Sequence, residues 1–287
     1  MSQRGLSLPV VLAQAEPVPF DRPLEAFAAE VETLLAEHPG TRLVMYPELH
    51  LCRAPRPADA AEPLDGPRGR RLAEIAGDLG VWLVPGSVCE RGPAGELFNT
   101  AVAFSPGGEL VASYRKVFPW RPYEPYDPGD RFVVFDMPEG RVGFSICYDA
   151  WFPEITRHLA WMGAELVLNP VQTTTRDRAQ ELVLARANAI VNQVFVASLN
   201  VAGPFGMGCS VVVGPEGQVL AETPGAEPVV LALELDLAEV ARVREHGTAG
   251  LNRMWDQFTE TDAPIELPLY QGRIEPGRWR PGGGDPR

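Results

Sequence analysis

Short apolar runs bounded by Gly, Pro or polar residues predict buried strands along this chain. They cover Leu8 to Gln14 (LPVVLAQ), Arg42 to Tyr46, Val81 to Val88 (VWLVPGSV), Phe132 to Met137, Val142 to Ile146, Glu165 to Pro170 (ELVLNP), Val194 to Asn200 and Val229 to Leu235. Apolar residues at helical spacing alternate with these runs. Leu24, Phe27, Ala28, Val31, Leu34 and Leu35 predict a helix over 21–37, with Asp21 as N-cap and Pro39-Gly40 as the stop. Further helices are expected over 69–80, 153–162 and 178–192, and a short one from Asp236. Two hairpins are expected, one in NTAVAFSPGGELVASYRK about Pro106-Gly107-Gly108 and one between 210–213 and 218–221. The Pro- and Ala-rich stretch 54–66, the Pro- and aromatic-rich stretch 117–131 and everything after Asn252 read as irregular.

The tally is about a dozen strands and about six helices, with βα units and hairpins intermixed. That order suits two mixed sheets packed face to face with helices outside, an α/β chain in four layers (α-β-β-α). We expect one domain over 1–287, with 264–287 an irregular C-terminal tail. No internal repeat, GxGxxG or P-loop is present, so dinucleotide and phosphate cradles lack support.

Composition narrows the class. A hydrophobic share of 45% with 22% charged is that of an ordinary globular protein able to build a large core at this length. The net charge of −13, with the acids spread along the chain, argues against nucleic acid or an anionic membrane as partner. The opening apolar run is too short for a signal peptide, and no stretch approaches a membrane span. Four cysteines (Cys52, Cys89, Cys147, Cys209) and four histidines are scattered without ligand or disulfide spacing. A reduced, cytoplasmic protein is expected, with no metal. Of the 25 basic residues one alone, Lys116, is lysine. Where Arg serves every other need for positive charge, a solitary Lys marks a place for a compact donor of adjustable pKa.

The candidate chemistry centres on RVGFSICYDAWFPE, residues 141–154. The run from Val142 delivers Cys147 to a strand end, Tyr148 to Ala150 form a sharp turn, and Pro153 suits the first position of a helix. A free cysteine is ordinarily a small buried hydrophobe. At a strand-to-helix turn it also stands beside backbone N–H groups, where a thiolate nucleophile and an oxyanion hole are easily combined. Glu48 follows a strand end hemmed in by Met45, Tyr46, Pro47 and Leu49, and burial there would raise its pKa into the range of a general base. Lys116 closes the first hairpin, and as an ammonium would stabilise thiolate and oxyanion together with the Tyr148 N–H. Glu124, in the loop that follows, could hold Lys116 and share in proton handling.

Pro47-Glu48, Tyr114-Arg115-Lys116 and Ile146-Cys147-Tyr148-Asp149, in that order, resemble the motifs of the nitrilase superfamily of carbon–nitrogen hydrolases. The likeness runs from LPVVLAQ to LALELD at 231–236. It implies an α-β-β-α sandwich, a homodimer or higher homo-oligomer with contacts through helices flanking the site and C-terminal segments, and no organic cofactor. It also implies Cys147 as nucleophile, Glu48 as general base, Lys116 as oxyanion stabiliser and Glu124 as the second glutamate. The segment from Tyr114 to Asp130 is similar to the aliphatic amidase and formamidase branch. RANAIVN, residues 186–192, resembles the family's RARAIEN helix with Asn188 and Val191 in place of Arg and Glu.

The turn after the cysteine speaks to substrate. Nitrilases proper usually carry Cys-Trp-Glu there, so Cys147-Tyr148-Asp149 favours amides over nitriles. Trp151 stands where ω-amidases place an Arg able to grip a carboxylate, which implies a small neutral or cationic carboxamide. Trp151 is also similar to the carbamoylputrescine amidase branch, which keeps an N-carbamoyl amine hydrolase releasing CO2 and ammonia as the alternative. Nitrilase, acyltransferase and non-catalytic binding readings rank lower. Trp120, Trp151 and Phe152 could line an apolar substrate pocket, although core packing accounts for such aromatics as well.

Overall fold

In the computed structural model, which describes residues 7–267 and 269–274, alternation along the strands sorts the apolar side chains onto two faces. Strand β1 (Leu8–Gln14) sends Leu8, Val10 and Leu12 one way and Val11 and Ala13 the other. In β2 (Leu43–Met45), Leu43 and Met45 share the first face and Val44 takes the second. With β3 (Trp82–Val84), β4 (Ser87–Arg91), β5 (Leu97–Phe104), β6 (Leu110–Arg115) and an edge strand from the far end of the chain they form a seven-stranded sheet. A second, six-stranded sheet joins β7 (Val134–Met137), β8 (Gly140–Phe144), β9 (Leu166–Val171), β10 (Phe195–Asn200), β11 (Val211–Val213) and β12 (Val219–Glu222). β13 (Val229–Leu235) completes the first sheet antiparallel to β1, register Leu8↔Leu235 to Gln14↔Val229.

Three apolar layers follow. The inner faces of the two sheets meet through Leu12, Met45, Ala101, Phe144, Leu168 and Ala197, all but dry. Helices α1 (Leu24–Glu37) and α2 (Pro67–Leu79) cover the first sheet through Phe27, Val31, Leu72 and Ile75. Helices α3 (Pro153–Trp161) and α4 (Arg178–Asn192) cover the second through Ile155, Leu159, Ala185 and Ala189. Helix α5 (Ala238–His246) adds Val240 to the inner layer. This is the expected α-β-β-α sandwich.

The strands β1, β2 and β3 run parallel, as do β8, β9 and β10. Sites in such sheets gather at the carboxyl ends of parallel strands. Glu48 lies just past that end of β2, Cys147 past that of β8 and Thr173 past that of β9.

Some boundaries differ from the sequence-based expectation. Asp21 does not cap α1: the helix starts at Leu24 after Pro23, whose ring fixes the entry, and no side chain caps it. The expected continuous strand 81–88 is broken at Pro85-Gly86 into β3 and β4. Gly86 has φ +90°, and a Cβ there would lie 1.7 Å from the Pro47 carbonyl oxygen. Only glycine lets this corner close against the residue preceding Glu48. Among the described residues there are thirteen strands and five α-helices. Over 264–267 and 269–274 the chain is irregular apart from a 3₁₀ turn at Leu269–Gly272, and the rest of the expected tail, 268 and 275–287, lies outside the described residues.

Candidate active site

Four segments from both sheets converge on one point. Strand β8 ends at Phe144, and Cys147–Trp151 turns as a 3₁₀ helix before Pro153 opens α3. Cys147 sits at φ +45°, in the left-handed region that a side chain disfavours. Asp149 fixes this turn. Its buried carboxylate accepts from the Ile146 N–H at 3.0 Å, the Phe118 N–H at 2.8 Å and the Tyr114 hydroxyl at 2.8 Å. One side chain thereby ties the cysteine turn to β6 and to the segment just after Lys116. Asn188 of α4 adds a clamp from outside, donating to the Ala150 carbonyl at 3.0 Å.

Lys116 is wholly buried at the end of β6. Its Nζ donates to Glu48 Oε1 at 3.1 Å and to Glu124 Oε1 at 2.8 Å. Glu48, also buried, takes a second donor at the same oxygen, Asn99 Nδ2 at 2.7 Å. Glu124 Oε2 accepts from the Trp120 N–H at 2.9 Å. The loop carrying Glu124 lacks regular structure and is pinned by other means. Tyr126 is buried with its hydroxyl 3.3 Å from Cys89 Sγ, Asp127 N–H donates to Leu97 O at 2.7 Å, and Gly129 N–H donates to Lys116 O at 2.8 Å.

The electrostatics suit proton transfer. Burial raises the Glu48 pKa; Lys116 opposes the rise and Glu124 adds to it. Burial alone would lower Lys116, but Glu48, Cys147 and Glu124 outweigh it, so the ammonium persists. Burial and then Glu48 push the Cys147 thiol up, against the pull of Lys116. Burial pushes Asp149 up to about 6, again against Lys116. A neutral thiol, a carboxylate able to take its proton and a fixed cation beside both are the parts of an acyl-transfer centre.

Glu48, Lys116, Glu124 and Cys147 are therefore one cluster. The residues expected to line the substrate side are more dispersed. Tyr148 and Trp151 are half-buried with ring centroids 6.1 Å apart, and the buried Trp151 Nε1 has no protein partner. Phe152 stacks on Phe118 at 3.7 Å. Trp120 is 37% exposed and its ring packs on Tyr123. Sequence reasoning missed Asn99, Asp149 as an anchor, Asn188 as a clamp, Thr173 and Glu181. Asn99 stands in the expected hairpin strand, where a polar residue amid an apolar run was the available signal.

Among the described residues no group of His, Cys, Asp and Glu is placed to hold a metal ion, and no helix is long and apolar enough to cross a membrane.

The family profile described as carbon-nitrogen hydrolase matches residues 10–245. The ω-amidase NIT2 of Homo sapiens is 35% identical over 202 residues, 64% of this chain and 72% of that protein. A formamidase of Pseudomonas syringae pv. syringae is 33% identical over 216 residues, 72% of this chain and 64% of that one. An amidase of Nesterenkonia sp. AN1 shares the fold with a TM-score of 0.71 at 31% identity, covering 89% of this chain and 99% of that one. That structure is a glutamate-to-glutamine variant with the acetamide moiety of fluoroacetamide added to its active-site cysteine.

Proposed function

Because this chain belongs to the carbon–nitrogen hydrolase family (the nitrilase superfamily) and is an amidase that works through a cysteine, we propose that Glu48, Lys116, Glu124 and Cys147 are its catalytic residues and that its substrate is a small neutral or cationic carboxamide. The observation that carries this reading is the buried Lys116 ammonium held 3.1 Å from Glu48 and 2.8 Å from Glu124, with Cys147 close enough to perturb and be perturbed.

Cys147 Sγ attacks the amide carbon as its proton passes to Glu48. The oxyanion is met by Lys116 Nζ and the Tyr148 N–H. Collapse breaks the C–N bond, and Glu48 returns the proton so that ammonia leaves. Glu48 then takes a proton from water, whose oxygen attacks the thioester; the carboxylic acid departs and the thiol is restored. Glu124 keeps Lys116 aimed.

The substrate class rests on charge and shape. Trp151 stands at the sequence position where ω-amidases resemble one another in placing a carboxylate-gripping Arg, and the guanidinium behind Thr173, that of Arg178, is 2% exposed and bound to Glu181. Four carboxylates (Glu48, Glu124, Asp149, Glu181) surround two cations, which disfavours an anionic substrate. The fluoroacetamide-derived adduct in the Nesterenkonia amidase fits the same small neutral class.

We further propose a homodimer or higher homo-oligomer, supported by exposed Trp161, Val183, Ile190 and Val191 on α3 and α4. A cytoplasmic location is supported by four free cysteines.

Mass spectrometry after mixing with small aliphatic amides should find an acyl adduct on Cys147, with ammonia release that Cys147→Ala abolishes. Full turnover by Cys147→Ala, or a preference for amides bearing a free carboxylate, would overturn the assignment. Release of CO2 with ammonia from a ureido compound identifies the N-carbamoyl alternative.

A further inference from the structure

Cys147 Sγ has a neighbour on the second sheet that the mechanism above does not use. Thr173, just past β9, places its Oγ1 3.7 Å from that sulfur. The same hydroxyl lies 2.8 Å from Glu181 Oε1, on the first turn of α4. An ionised carboxylate can only accept, so the Thr173 proton belongs to the shorter, charge-assisted bond with Glu181. What Thr173 turns to the sulfur is lone pairs. It can accept from a thiol but cannot donate to a thiolate.

The arrangement is held from behind. The Thr173 N–H donates to Asn200 Oδ1 at 2.9 Å. Arg178 Nη1 holds Glu181 Oε2 at 3.0 Å, and its other bonds go to Ser198 Oγ, Ser198 O and Cys209 O. Thr173, Glu181 and Arg178 are 6%, 5% and 2% exposed, so water does not compete for these contacts. Hydrogen bonding to the neutral form of an acid stabilises that form.

We propose that Thr173 and Glu181 hold the Cys147 sulfur as a thiol, with its proton directed at Thr173, until substrate arrives. Thr173 touches the reacting sulfur, and Glu181 is a positioning residue that acts through it. The proposal rests on the reading of Cys147 as nucleophile.

The groups facing the sulfur divide into two camps. Burial, Glu48 and Glu181 favour the thiol, while Lys116 and the Gln172 N–H favour the thiolate. Glu124 stands behind Lys116, and Asp149 behind the cysteine turn. The thiol camp prevails, so the proton needed by the leaving nitrogen is kept on the enzyme rather than lost to solvent. In turnover the S–H bond breaks as the S–C bond forms, and the proton goes from sulfur to Glu48 and then to nitrogen. No oxidant or reductant enters.

The test is the pH dependence of Cys147 alkylation by iodoacetamide, read on its own peptide by mass spectrometry. The wild-type midpoint should lie above the roughly 8.5 of an ordinary thiol. Glu181→Gln removes the charge and lets the amide donate to Thr173, so the midpoint should fall by at least about one unit, about tenfold faster labelling at pH 7. Thr173→Ser, which keeps the hydroxyl, should hold the wild-type midpoint. A wild-type midpoint at or below that of an ordinary thiol overturns the proposal, as does a Glu181→Gln midpoint that stays or rises. The wild-type measurement decides even where Glu181→Gln fails to fold. Acylation by a small amide reports separately: a shifted midpoint without an adduct sinks the nucleophile assignment, and an adduct with an unmoved midpoint sinks this proposal.

Discussion

Arg115 ends β6 and Lys116 follows it, its N–H continuing the ladder to Asn99 O at 2.8 Å, and the two enter opposite environments because successive side chains leave opposite faces of an extended chain. Arg115 pairs one-to-one with Glu90, Nε to Oε2 at 3.0 Å and Nη2 to Oε1 at 2.5 Å, and its guanidinium lies 3.8 Å from the Phe98 ring centroid. Its side chain is 30% exposed. Lys116 has no exposed surface and divides one ammonium between two carboxylates. The first pair satisfies both partners with water at hand and adds modestly to stability. The second leaves an excess negative charge where desolvation is costly, an arrangement that no gain in stability explains. A fork-shaped cation suits the first place and a compact one the second. The single lysine of the sequence stands where one compact ammonium serves two carboxylates.

The largest expected effect comes from unmaking the buried set. Lys116→Met leaves Glu48 and Glu124 facing one another and should lower kcat by about 10²- to 10³-fold, with about 3–5 kcal/mol lost in thermal or denaturant melts. Lys116→Arg keeps the charge and should still cost turnover on a similar scale. Near-normal kcat in that variant would erase the distinction between the two pairs.

Stability against pH sharpens it next. Burial raises Glu48 and Asp149 in the native state, so the folded protein retains protons that the unfolded chain has released. Their contribution is present at low pH and is lost as pH climbs, for Asp149 between about 4 and about 6. The Asp149 share is on the order of 3 kcal/mol. The melting temperature should therefore be higher at pH 5 than at pH 7, and Asp149→Asn should flatten the slope; a melting temperature that climbs from pH 5 to 7 counts against it.

Glu124→Gln comes third. Its amide keeps one acceptor but presents a donor either to Lys116 Nζ or to the Trp120 N–H, so kcat should fall about tenfold, the size of one charged hydrogen bond. Arg115→Lys should matter least. Steady-state kinetics should stay within about twofold of wild type, and stability should change by about 1 kcal/mol or less.

The fold was legible wherever apolar pattern and stop signals agreed. β1, α4 and β13 run from end to end as expected, since LPVVLAQ, RAQELVLARANAIVN and VVLALEL are clean periodic segments. The break at Pro85-Gly86 was hidden because VWLVPGSV is apolar on both sides of it; the close approach to the Pro47 carbonyl that requires the break is a tertiary fact. Asp21 resembles a cap in isolation and is displaced by the proline two positions later. In the site, Glu48, Lys116 and Cys147 announce themselves as charged or reactive residues at strand ends. Thr173 and Glu181 do not, because TTTRDRAQE reads as an ordinary polar helix entry, and their pairing across eight residues acquires meaning only once β9 brings Thr173 to the sulfur.

The left-handed backbone at Cys147 carries a consequence for how such a protein changes over generations. An L-residue at φ +45° costs on the order of 1 kcal/mol relative to glycine there. Selection for amide turnover must hold a cysteine at a position where the backbone itself would prefer to have no side chain. Cys147→Gly should therefore abolish turnover while leaving the melting temperature unchanged or higher, so that activity and fold come apart at this one position.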